Sequence, residues 1–170
     1  MAEQWEKDYL EMICEEYKKN SYDAAVEEIG GAPALIIAFD EKNAGIPKSV
    51  KISIEHIVEN SCQMRIMADL FGKMDEKAFS DIERVIAHIN QFLTVGNVTA
   101  FFKSRMLFYN YAFLFTKDMS SEDVTQLLAS AIDIVLITAA KTIEIITPLL
   151  NGETTVQALI DSNISIVQGG

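Results

Sequence analysis

Residues 97–150 constrain the fold more than any other stretch: two strands joined by a tight turn lead into one long apolar helix. The first strand covers residues 98–102, the turn is Lys103-Ser104, and the second strand covers residues 106–115. Side chains alternate faces along a strand. Met106, Phe108, Ala112 and Leu114 therefore point one way, and Leu107, Tyr109, Tyr111, Phe113 and Phe115 the other. Both faces are apolar and both need cover. The protein's own helices can cover one. The other calls for a further layer, a second subunit or a bound segment.

The rest of the chain supplies the partners for that hairpin. Trp5, Tyr9, Met12, Ile13 and Tyr17 recur at helical spacing, which predicts a first helix over residues 3–20. Residues 24–29 read as a short edge strand, Gly30-Gly31-Ala32-Pro33 as a turn, and residues 34–39 as a second strand. Residues 40–47, with Asn43, Gly45 and Pro47, read as a loop. Val50, Ile52 and Ile54 alternate with polar residues in a strand to about residue 58. After a turn at Asn60-Ser61, Cys62, Met64, Ile66, Ala68 and Leu70 alternate in the returning strand. This pattern belongs to antiparallel sheets with one wet face.

Asp75 can cap a second helix whose stripe is Phe79, Ile82, Val85, Ile86, Ile89, Phe92 and Leu93. Ser120 can cap a third, with Asp123 completing a partial capping box. That helix is apolar almost all round. Pro148 should kink or end it, and Gly152 marks an exit nearby. Residues 156–160 can form a last short helix, and residues 164–170 a strand-like or loose tail. The fold class is therefore α+β: an antiparallel sheet of five to six strands in the order α-β(3-4)-α-β-β-α, with helices packed on it. Residues 1–150 read as one domain and residues 151–170 as a C-terminal extension.

The charge is −11 over 170 residues, which argues against nucleic acid, since phosphate binding needs clustered Lys and Arg. It is uneven: residues 1–28 carry nine acidic and three basic residues, whereas residues 97–117 carry Lys103, Arg105, Lys117 and no acid. The third helix is interrupted by Asp133, Lys141 and Glu144, so no uncharged stretch reaches the roughly 18–20 residues of a membrane span. The first sixteen residues are acidic and helical in pattern, unlike a signal peptide. A soluble, cytoplasmic chain is expected.

No catalytic, cofactor-binding or metal-binding constellation emerges. Two cysteines, Cys14 and Cys62, are too few for a disulfide framework and read as small core residues. Two histidines, His56 and His88, make no convincing metal site. His56 reads as a hydrogen-bonded strand-end residue. Cys62 and His56 could meet across their hairpin as nucleophile and base, but no orienting acid is evident. Gly30-Gly31 lacks the Lys-Ser/Thr of a phosphate loop.

The run Ile89-Asn90-Gln91-Phe92-Leu93 through Gly96-Asn97-Val98, then residues 106–115 and Met119-Ser120-Ser121-Glu122, resembles the YbjN-like domains. In shape the element order resembles the type III secretion chaperones. The likeness covers about residues 5–150 and rests on hydrophobic patterns. It implies an α+β sandwich, usually dimeric, that binds protein segments without catalysis. Roadblock- and longin-like modules have a related mixture of elements and remain a competing assignment.

The expected function is a non-enzymatic, chaperone-like protein-binding module that recognises a protein segment through an apolar sheet face or edge. The alternative is a roadblock- or longin-like regulatory dimerisation scaffold. Tyr109 and Tyr111 are the partner-binding candidates, because a tyrosine combines an apolar ring with a hydroxyl that needs a partner. Ile134 and Ile137 are the self-association candidates for a homodimer.

Overall fold

The computed structural model describes residues 4–39 and 45–162. Helix α1 (Gln4–Lys19) precedes strands β1 (Asp23–Ile29), β2 (Ala32–Ala38), β3 (Ser49–Val58) and β4 (Ser61–Phe71). A 3-10 turn (Glu76–Ala78) leads into α2 (Phe79–Phe92), then β5 (Asn97–Phe101), β6 (Met106–Thr116), α3 (Ser121–Leu150) and α4 (Val156–Asp161). Six antiparallel strands form one open sheet in the order β1-β2-β3-β4-β6-β5. The two hairpins predicted to share a sheet do so, through the β4–β6 ladder.

The alternating residues all turn to one side. Val50, Ile52 and Ile54 of β3, and Cys62, Met64, Ile66, Ala68 and Leu70 of β4, are buried there, with Leu35 and Ile37 of β2 beside them. Helix α1 packs on β1 and β2, α3 on β4 and β6, and α2 on β5. All contribute to one apolar core, in which fully burying one aliphatic side chain contributes about 1.5–3 kcal/mol. The opposite side of the sheet carries Lys51, Ser53, Glu55, Gln63, Arg65 and Asp69, half-buried, and no described element covers it.

Several expectations shift. The buried stripe of α1 is Glu6, Leu10, Ile13 and Cys14, about a quarter-turn from the predicted one, and Met12 faces outward. Only Gly30 and Gly31 make the first turn, both at positive φ, and Ala32 and Pro33 already belong to β2. Proline is tolerated there because β3 begins to pair only at Ala34, so the missing N–H breaks no ladder bond. The second turn is Glu59-Asn60, because Ser61 pairs with Val58. Asp75 caps the 3-10 turn ahead of α2, its carboxylate accepting from the Lys77 N–H at 3.0 Å. Phe92 is exposed on the last turn of α2, its ring edge-on to His88.

Helix α3 runs two residues past Pro148. Pro148 has no N–H for the Glu144 carbonyl, but Glu144 is exposed and the lost bond falls within one turn of the helix end. The N–H groups of Asn151, Gly152 and Glu153 then close the end onto Thr147, Leu149 and Pro148 carbonyls. The capping of α3 by Ser120 and Asp123 is present: the Asp123 N–H donates to Ser120 Oγ at 3.1 Å. No helix among the described residues is long and apolar enough to cross a membrane. Residues 40–44 of the predicted loop and the predicted tail 164–170 lie outside the described residues.

Candidate protein-interaction surface

Strand β6 is eleven residues long and β5 only five. The tight turn between them sets Phe101 against Met106, and the pairing ends at Asn97 against Asn110. Residues 111–116 therefore have β4 on one side and no described strand on the other. The Lys117 N–H donates to the Asn60 carbonyl at 3.2 Å, at the β4 end of the ladder. Backbone groups alternate sides along a strand. Odd-numbered residues of this half thus bond to β4, and the N–H groups of Ala112, Leu114 and Thr116 point outward. Leu114 is 67% exposed.

A shallow recess of about 320 Å³ lies on the open face where β5 begins. Its polar floor includes Gln63 and Arg65 of β4, which pair with Leu114 and Ala112 of β6. Arg65 forms an ion pair with Glu55 at 3.1 Å. The Thr99 hydroxyl accepts from the Asn97 amide at 2.7 Å and the Asn110 amide at 3.0 Å. Phe101, half exposed, rests edge-on against Phe108 at the rim. The outer edge of β6 thus runs from a hydrogen-bonding recess towards an apolar end at Leu114.

The two candidate tyrosines both belong to the helix-covered side. Tyr109 is fully buried, and its hydroxyl donates to the Val95 carbonyl at 2.8 Å. Burial pushes this phenol up to about 12. Tyr109 is a core residue with no surface to offer a partner, and that corrects its assignment. The alternation grouped it rightly with Leu107 and Phe115, but both groups are apolar and only the packing of α3 selects the inner one. Tyr111 is half-buried against the core, at the start of the unpaired half of β6. Ile134 and Ile137 are 36% and 53% exposed on the outer side of α3, with Leu127 on the same side.

The acid missing from the Cys62–His56 pair comes from α1. Glu6 Oε1 lies 2.7 Å from His56 Nε2, and Cys62 Sγ lies 4.0 Å from His56 Nδ1. The order is that of an acid–base–nucleophile relay, yet Cys62 is fully buried, so no substrate reaches its sulfur. The imidazole turns its two nitrogens to opposite partners, so the three groups do not converge on one point. Among the described residues no group of three His, Cys, Asp or Glu side chains could hold a metal ion. The Trp5 ring meets the imidazole edge-on at 5.7 Å. This cluster fastens α1 to the overhanging end of β3. Glu6 escaped the sequence reading because it falls among the polar residues of α1.

Asp69 sits on the open face opposite Phe108, with Oδ1 buried and unbonded. Desolvation raises its carboxyl above the usual range, against the pull of Lys48. A raised carboxyl is protonated more readily in the folded chain, so stability falls as pH climbs from the ordinary value of 3.8 through the folded one. Asp69→Asn should therefore raise the melting temperature at neutral pH, and the gain should vanish below about 3.8. Thermal melts at both pH values check this; an equal gain at both would assign the effect to packing.

No protein-family model matches the chain, and no curated protein matches it. Among solved structures, the crystal structure of YbjN from E. coli matches with a TM-score of 0.43 and 11% sequence identity, covering 92% of this chain and 89% of that one.

Proposed function

We propose that this chain is a non-enzymatic, chaperone-like protein-binding module that takes an extended segment of a partner protein as an added strand beside β6. The observation that carries this reading is the mismatch of β5 and β6, which leaves the outer side of residues 111–116 without a described strand. Backbone hydrogen bonds to such an edge supply affinity, and side-chain pockets on alternate positions supply selectivity. The added strand lies in line with β5. Its side chains alternate between the open face, beside Leu114, Gln63 and the recess, and the helix side, beside Tyr111 and Phe113.

Proline substitution tests the edge. Leu114→Pro removes an outward N–H and leaves the β4 ladder intact, a position where strands tolerate proline. Phe113→Pro removes an inward N–H and leaves a β4 carbonyl without its partner, a loss of about 1–3 kcal/mol. Extended peptides selected from a display library on the native protein provide the probe. Leu114→Pro should keep the circular dichroism spectrum and lose peptide binding at least tenfold, whereas Phe113→Pro should lose stability first. Selected peptides that bind Leu114→Pro unchanged would remove this edge as the site.

A further inference from the structure

We propose that α3 is the dimerisation element of this protein, pairing antiparallel with α3 of a second copy of the chain in one defined register. Asp123, Leu127, Ser130, Ile134, Ile137 and Lys141 are all exposed on α3. Their spacing alternates four and three residues, the seam along which two helices interlock. Helix α1 does not cover this seam. The grooves between α1 and α3 are lined by Thr125 and Ala129, about half a turn away around α3 from Leu127 and Ile134.

The seam is self-complementary in one orientation. A twofold axis at the level of residue 132 sets Asp123 against Lys141 of the second copy, Leu127 against its Ile137, and Ser130 against its Ile134. The axis repeats each pairing, so two opposite-charge pairs flank two Leu–Ile and two Ser–Ile contacts. Each of these pairings joins the two kinds of seam position, as an antiparallel helix pair requires. A parallel pair would instead stack Asp123 on Asp123 and Lys141 on Lys141. Burying Ser130 leaves no hydroxyl unsatisfied, because its Oγ already donates to the Gln126 carbonyl at 3.1 Å. The small side chain lets the helices approach where Ile134 crosses. This inference concerns the helix layer and stands whether or not a strand adds to β6.

Charge exchange tests the register. Sedimentation equilibrium at low salt should give twice the 18.9 kDa chain mass at micromolar concentration. Asp123→Lys and Lys141→Asp should each weaken the dimer about tenfold or more by facing like charges, and the double exchange should restore it. Ile137→Asp, at an exposed position, should abolish it. Asp123 also sits in the first turn of α3, so a second measurement avoids it. The Ser130→Cys, Ile134→Cys double variant should cross-link to a covalent dimer in air. Ile137→Cys alone should not, because its two copies stand about 15 Å apart along the pair at 1.5 Å per residue. A monomeric native chain, a double exchange as weak as the singles, or failure of the double cysteine variant to cross-link each overturns the proposal.

Discussion

Tyr109→Ala should lower the melting temperature by roughly 6–20 °C, from about 3–5 kcal/mol for emptying a large buried aromatic site, at 2–4 °C per kcal/mol for a domain of this size. The ring is fully buried at the junction of the β-ladder, α3 and the chain entering β5. Its hydroxyl holds the Val95 carbonyl just before that entry. Tyr109→Phe keeps the ring and removes the hydroxyl's bonds to the Val95 carbonyl and with the Thr138 side chain, and should cost about 1–2 kcal/mol. The ratio between the two variants separates packing from hydrogen bonding. Calorimetric melts check both. A Tyr109→Ala protein as stable as the parent would place the tyrosine outside the core.

Gly96→Ala should destabilise by a comparable amount, about 3 kcal/mol or more. Gly96 has φ +70°, a conformation that costs an L residue about 1–2 kcal/mol. A Cβ there would also overlap the Tyr109 hydroxyl and the Asn110 carbonyl. Neither can withdraw cheaply, since the hydroxyl is bonded to Val95 and the carbonyl belongs to the β6 backbone. In a Tyr109→Phe background the penalty should shrink without vanishing, because the hydroxyl is gone and the carbonyl remains. Denaturant unfolding of the four proteins measures that coupling, and strict additivity would show that Gly96 and Tyr109 do not share a site.

These two residues also mark how far the sequence is legible. Regular alternation in β3 and β4 places Val50, Ile52, Ile54, Cys62 and Met64 inward without ambiguity, because their neighbours are polar. In β6 both sets are apolar, so parity sorts the residues into faces and leaves open which face the helices take. In α1 the aromatic residues suggest a stripe that the chain rotates to bury Glu6 against His56, a pairing 50 positions apart that no local pattern reveals. The proposed binding edge is half legible. The unequal strand lengths and the tight turn between them are visible in the residues, and they place the surplus at the far end of β6. That no described strand fills the neighbouring lane is a property of the whole fold.

The strand order carries a consequence for synthesis. Strands β1 to β4 form a continuous meander, each pairing with its neighbour in sequence, but the far edge of β4 waits for β6. Phe71 leaves the ribosome 45 residues ahead of Thr116. At about 5–20 residues per second the growing chain therefore spends roughly 2–9 s with an eleven-residue strand, every second side chain apolar, open along one side. An uncovered edge of this kind is a template for pairing with other chains. The nascent protein is thus most vulnerable to misassembly while α2 and β5 are being made, before the strand that protects β4 exists.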